Sequence, residues 1–160
     1  MTRLKPPIKG IITALIMIGI SLSIYYSGGT NSNLGYIIYV AFFGGIIWTL
    51  WEHARYQPEE RTFGKLFSQG FKCFIVITLI MVAFTAIIHI LNPQWITEAA
   101  EAYREDLIKE NTKTPAEIDK IVKMAKDNYV TIRVGSSIFG YLIIGSVFTV
   151  LSSLFLIRRK

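Results

Sequence analysis

The sequence predicts an all-α fold: an integral membrane four-transmembrane-helix bundle with an extramembrane amphipathic helical hairpin between spans three and four. Three observations lead there. Apolar runs over residues 11–26, 34–51, 71–91 and 134–157 approach or exceed the ~20 residues a helix needs to cross a bilayer core. The chain is 52% hydrophobic with a mean hydropathy of +0.44, more apolar than an ordinary soluble domain. The long polar block, 92–133, has the periodicity of amphipathic helices. All 160 residues therefore read as a single membrane domain.

The first run follows Arg3, Lys5 and Lys9, a pattern that signal peptides share with first transmembrane helices. It is long for a signal core and no A-x-A site follows it, so it reads as an uncleaved helix ending at Tyr25 and Tyr26. Residues 27–33, uncharged and turn-forming, close a hairpin to the second run. Ala41, Gly45 and Thr49 then recur every fourth residue, a small-residue face that lets another helix come close. Trp48, Trp51 and Tyr56 mark the interface, and Glu52, His53, Arg55, Glu59, Glu60 and Arg61 make a polar loop in which His53 is expected to be solvated.

Thr62 is a candidate cap for a lead-in helix with Phe63, Leu66, Phe67, Phe71 and Phe74 on one side, an interfacial elbow before the third span. Cys73, the single cysteine, excludes an intrachain disulfide; it reads as a small lipid- or helix-facing side chain, with palmitoylation as the alternative. Thr78, Met81, Thr85 and His89 recur on one side of the span and should face the bundle interior. Pro93 cannot donate to the His89 carbonyl, which predicts a kink at the end of the span.

The polar block holds eight acids and seven bases. Ile96, Ala99, Ala100, Tyr103 and Leu107 share one helical face; Thr114-Pro-Ala-Glu117 is a capping box with proline in the first turn, opening a second helix with Ile118, Ile121, Val122, Ala125 and Tyr129 on its apolar face. Folding the two antiparallel sets Leu107 against Ile118, Tyr103 against Val122, Ala100 against Ala125 and Ile96 against Tyr129 in one register, an αα-hairpin over residues 93–130 about 25 Å long. Glu101, Glu105 and Asp106 read as a solvated face. In the fourth run Gly145, Thr149 and Ser153 repeat the small-residue spacing, and Arg158, Arg159 and Lys160 close the chain.

The stretch TFGKLFSQGFK feeding the third apolar helix, followed by a polar helical insertion opening NPQWITE and a last span, resembles a family of uncharacterised four-helix bacterial inner-membrane proteins classed as a domain of unknown function. The resemblance implies a four-span inner-membrane protein; it carries no reaction, ligand or catalytic residue.

A net charge of +6 could signal nucleic acid, but most bases flank apolar runs, so none is expected. Placing both termini and the loop between spans two and three in the cytoplasm, with Lys72 at the start of span three included, gathers ten bases against three acids there, which predicts N-in, C-in topology in a bacterial inner membrane. No nucleotide-binding loop, H-E-x-x-H, G-x-S-x-G elbow or paired cysteine or histidine ligands occur, so neither catalysis nor a cofactor or metal is expected. The expected function is a noncatalytic scaffold or accessory subunit that meets the lipid bilayer and an envelope protein, with Tyr103, Leu107, Ile118 and Val122 as candidate contacts, and with homo-oligomerisation on the small-residue faces. The alternative is an oligomeric small-solute transporter or channel with Thr78, Thr85 and His89 as a polar stripe.

Overall fold

The computed structural model describes residues 4–26 and 35–158, so the expected turn over 27–33, Arg3, Leu34, Arg159 and Lys160 lie outside the described residues. Among the described residues there are six α-helices and no strand: α1 Pro6–Tyr26, α2 Gly35–Tyr56, α3 Phe63–Leu91, α4 Pro93–Glu110, α5 Pro115–Asp127 and α6 Tyr129–Arg158, with a short 3-10 turn at Pro58–Glu60 between α2 and α3. α1, α2, α3 and α6 are each long and apolar enough to cross a membrane, the architecture of a multi-pass membrane protein.

The helices outrun their apolar runs, because helix continues as long as its backbone bonds are made, whatever the side chains' polarity. α1 takes in Lys9, and α2 takes in Glu52, His53 and Arg55, so the polar loop expected from residue 52 begins after Tyr56. The lead-in and the third span are one unbroken helix: the Leu66 amide donates to the Thr62 carbonyl at 3.0 Å, and α3 runs from Phe63 without an elbow. At its other end α3 stops at Leu91 and does not kink. Asn92 leaves helical geometry at φ −123°, its side-chain amide donates to the Ile88 carbonyl at 2.7 Å, and Pro93 becomes the first residue of α4, where a missing N–H costs least.

The chain groups into two compact units, Met1–Met81 with Ile138–Lys160, and Val82–Ser137. In the first, α1, α2, the first part of α3 and the last part of α6 enclose Met17, Phe42, Ile46, Leu50, Leu66, Phe74 and Ile77, all fully buried. Glycines set how closely these helices approach. A Cβ on Gly45 would run into Thr13; one on Gly10 would lie 2.7 Å from the Cys73 carbonyl oxygen; one on Gly145 would lie 2.8 Å from the Phe74 ring. The small-residue faces are accordingly buried at Gly45 and Thr49 and at Gly145, Thr149 and Ser153, with Ala41 half-buried. Thr49 and Thr149 return their hydroxyl protons to the carbonyls of Gly45 and Gly145 at 2.9 and 2.6 Å, so neither spends a donor on lipid. Cys73 is buried and faces α2, its thiol 3.7 Å from the Gly45 carbonyl oxygen.

The second unit contains the end of α3, α4, α5 and the start of α6. Ala100, Leu107 and Ile118 are buried, and an Arg104–Asp119 ion pair joins α4 to α5. Asn111 ends α4 in the left-handed region at φ 50°, where asparagine is better tolerated than most residues. The capping box of α5 is formed: the Glu117 amide donates to Thr114 Oγ1 at 3.4 Å and the Thr114 amide donates to Glu117 Oε2 at 2.8 Å. Asn128 separates α5 from α6, with its side-chain amide turned back onto the Met124 carbonyl at 2.9 Å.

Candidate functional site

The most chemically loaded position in the first unit is one that the apolar runs concealed. Lys9, one turn into α1, is almost wholly buried, and its Nζ lies 2.9 Å from Glu52 Oε2 near the end of α2. The same ammonium stands 5.4 Å from the centroid of the Trp48 ring, so an anion and an aromatic face share it. The register follows from the hairpin: Lys9 is seventeen residues before the end of α1 and Glu52 seventeen after the start of α2. Any antiparallel closure of these two helices brings the two ends together.

A bare ammonium this deep would cost several kcal/mol, and pairing with Glu52 is what makes its burial tolerable. The apolar run over 34–51 ends one residue short of this carboxylate, whereas α2 itself continues through Glu52 to Tyr56, so Glu52 is not the loop residue expected from the sequence.

The pair forms one wall of a cavity of about 190 Å³. Lys5 comes from the segment before α1, Thr49 and His53 from α2, Gln57 from just beyond α2, and Gln69 from α3. His53 is thus a half-buried helical residue on this cavity, not a solvated loop residue. In the loop after α2, a guanidinium N–H of Arg61 donates to the Leu156 carbonyl in the last turn of α6, meeting the unsatisfied carbonyls of a helix C-terminus with a cation.

The polar stripe on α3 divides between the two units. Thr78 and Met81 are buried in the first, where the Thr78 hydroxyl has no hydrogen-bond partner among the described residues. Thr85 and His89 are half-buried in the second. His89 Nδ1 lies 2.8 Å from the Thr85 carbonyl oxygen; a carbonyl only accepts, so Nδ1 carries the proton. The imidazole meets the Trp95 ring edge-on at 5.6 Å between centroids and the Tyr129 ring at 5.7 Å. This packing ties the end of α3 to the starts of α4 and α6.

Of the candidate contact residues, Leu107 and Ile118 are buried within the second unit, Val122 is half-buried and Tyr103 is 43% exposed. Tyr103, Ala100, Ala125 and Tyr129 line a cavity of about 280 Å³ there, edged by Lys126 and Arg133. The Arg133 guanidinium lies over the Tyr129 ring at 5.6 Å and donates from Nε to its hydroxyl oxygen at 3.3 Å. Among the described residues no group of three or more His, Cys, Asp or Glu could hold a metal ion.

No curated protein and no solved structure matches this chain. A family model does match it over residues 8–158, nearly the whole chain and all four apolar helices, and the chain belongs to that family, described as Protein of unknown function (DUF4199).

Proposed function

We propose that this chain is a noncatalytic scaffold or accessory subunit of the bacterial inner membrane, with both termini in the cytoplasm and α4–α5 standing outside the bilayer as a helical hairpin that receives an envelope protein. One observation carries the reading. α4 and α5 are the polar helices of the chain, yet after Ala100, Leu107 and Ile118 are buried, Tyr103, Ile108 and Met124 remain 43%, 56% and 55% exposed. Such side chains on a charged, water-facing helix pair suit a protein partner better than they suit water. The basic flanks of the spanning helices support the orientation, because Lys and Arg are retained on the cytoplasmic side.

Two measurements test this. Alkaline phosphatase fused after residue 112 should be active and fused after residue 58 inactive; the reverse pattern overturns the orientation. A photocrosslinker at position 103 or 108 should capture one discrete envelope protein in cells, and deletion of 93–130 should disrupt that protein's assembly. Capture of lipid alone, with assembly normal after the deletion, overturns the scaffold reading.

A further inference from the structure

The cavity beside Lys9 and Glu52 is built from both signs of charge. Lys5 and Lys9 supply cations, Glu52 supplies a carboxylate, and Gln57 and Gln69 supply amides that donate or accept. Lys9 engages one carboxylate oxygen of Glu52, Oε2, at 2.9 Å. Its volume, about 190 Å³, is below the roughly 300–1,000 Å³ of pockets that enclose a whole drug-sized solute. It is enough for a compact polar group whose remainder stays outside.

Position narrows the ligand further. Trp48 and Trp51 lie on α2 within one turn of Glu52, both partly exposed, and tryptophan concentrates at headgroup depth. Basic pockets between spanning helices at that depth bind phospholipid headgroups. A purely anionic headgroup would set its charge beside the Glu52 carboxylate, and like charges at close range oppose binding. A quaternary ammonium would present no N–H to that carboxylate. A primary ammonium joined to a phosphate satisfies both walls: N–H to Glu52 Oε1, and phosphate oxygens to Lys5 and the amides.

We infer that the cavity walled by Lys5, Lys9, Glu52 and Gln69 is a binding site for a phosphoethanolamine group, carried by a membrane phospholipid or free in solution. The inference is independent of the scaffold reading, since it concerns other residues and requires no protein partner.

The test is native mass spectrometry of the full chain from mild detergent, titrated with phosphatidylethanolamine, phosphatidylglycerol and phosphatidylcholine of identical acyl chains. Phosphatidylethanolamine should be retained about tenfold over each of the others, the scale of one charge-assisted hydrogen bond. Lys5→Gln, at an exposed position, should lower that retention about tenfold with helical content unchanged by circular dichroism. Glu52→Gln should erase the preference over phosphatidylcholine. Equal retention of the three lipids, a preference for phosphatidylglycerol, or a folded Lys5→Gln variant that retains phosphatidylethanolamine as the wild type does overturns the site. Displacement by water-soluble phosphoethanolamine identifies the free group as sufficient, and resistance to it identifies the lipid; both outcomes support the pocket chemistry.

Discussion

Lys9 Nζ and Glu52 Oε2 lie 2.9 Å apart, with the lysine side chain 4% and the glutamate side chain 23% accessible. The asymmetry decides what each partner's removal costs. Glu52→Gln strands an ammonium that water scarcely reaches and should destabilise the bundle by about 3 kcal/mol. Lys9→Met leaves a carboxylate that can recruit water and should cost less, about 1–2 kcal/mol. The double variant should recover most of the larger loss, as denaturant unfolding in detergent would reveal through a double-mutant cycle. Simple additivity of the two single losses would show that the pair is not coupled.

Glycine substitutions should sort by what a new methyl group meets. Gly10→Ala drives a Cβ to 2.7 Å from the Cys73 carbonyl oxygen, a backbone atom that cannot rotate away, and is expected to cost about 1–3 kcal/mol. Gly44→Ala meets nothing within 4 Å and should be neutral or stabilise by up to about 1 kcal/mol through helix propensity. Equal thermal shifts for these two variants would contradict the close α1–α3 approach at Gly10.

Arg61→Ala removes the cation that donates to the Leu156 carbonyl. The last turn of α6 should fray, with a loss of about 1–2 kcal/mol and faster amide hydrogen exchange confined to residues near the C-terminal end of that helix. Arg61→Lys keeps the charge on a differently shaped donor and should restore only part of the protection. Unchanged exchange in the alanine variant would refute the tie.

The capping box of α5 makes its start sensitive to acid. The Thr114 backbone N–H, and after it the Thr114 hydroxyl, hold the Glu117 carboxyl below its ordinary value of 4.5. A lowered folded value means that the unfolded chain takes up the proton first as pH falls. The stabilisation is therefore full above the ordinary carboxylate range and is lost as pH drops through the folded value. Amide exchange across the first turn of α5 should accelerate on acidification over that window. Thr114→Ala should cost about 1 kcal/mol at neutral pH and flatten the acid response only in part, because alanine keeps the backbone N–H; Glu117→Gln, which cannot titrate, should abolish it. A Glu117→Gln variant that keeps the wild-type pH profile would exclude the box as its cause.

Local chemistry was legible wherever a signal needed only neighbours in the chain. Thr114, Pro115 and Glu117 announce their own cap, and Gly45 with Thr49 and Gly145 with Thr149 announce close packing, because spacing along one helix determines those relations. The end of α3 was less legible: Pro93 implied a disturbance, but kink and termination differ only in whether Asn92 leaves helical geometry, and its bond to the Ile88 carbonyl made that choice.

By itself, then, the sequence determined four apolar helices, their small-residue faces and the capped start of α5, since each depends on hydrophobic length or on contacts within one or two turns. Only the tertiary structure decided that Lys9 is buried against Glu52, that His53 and Gln69 share their cavity, and that His89 packs between Trp95 and Tyr129. Those relations join residues far apart in the chain, so they exist only once helix lengths and registers are settled. Carrying the end of helix two from Trp51 to Tyr56 turned Glu52 from a loop acid into the partner of a buried lysine.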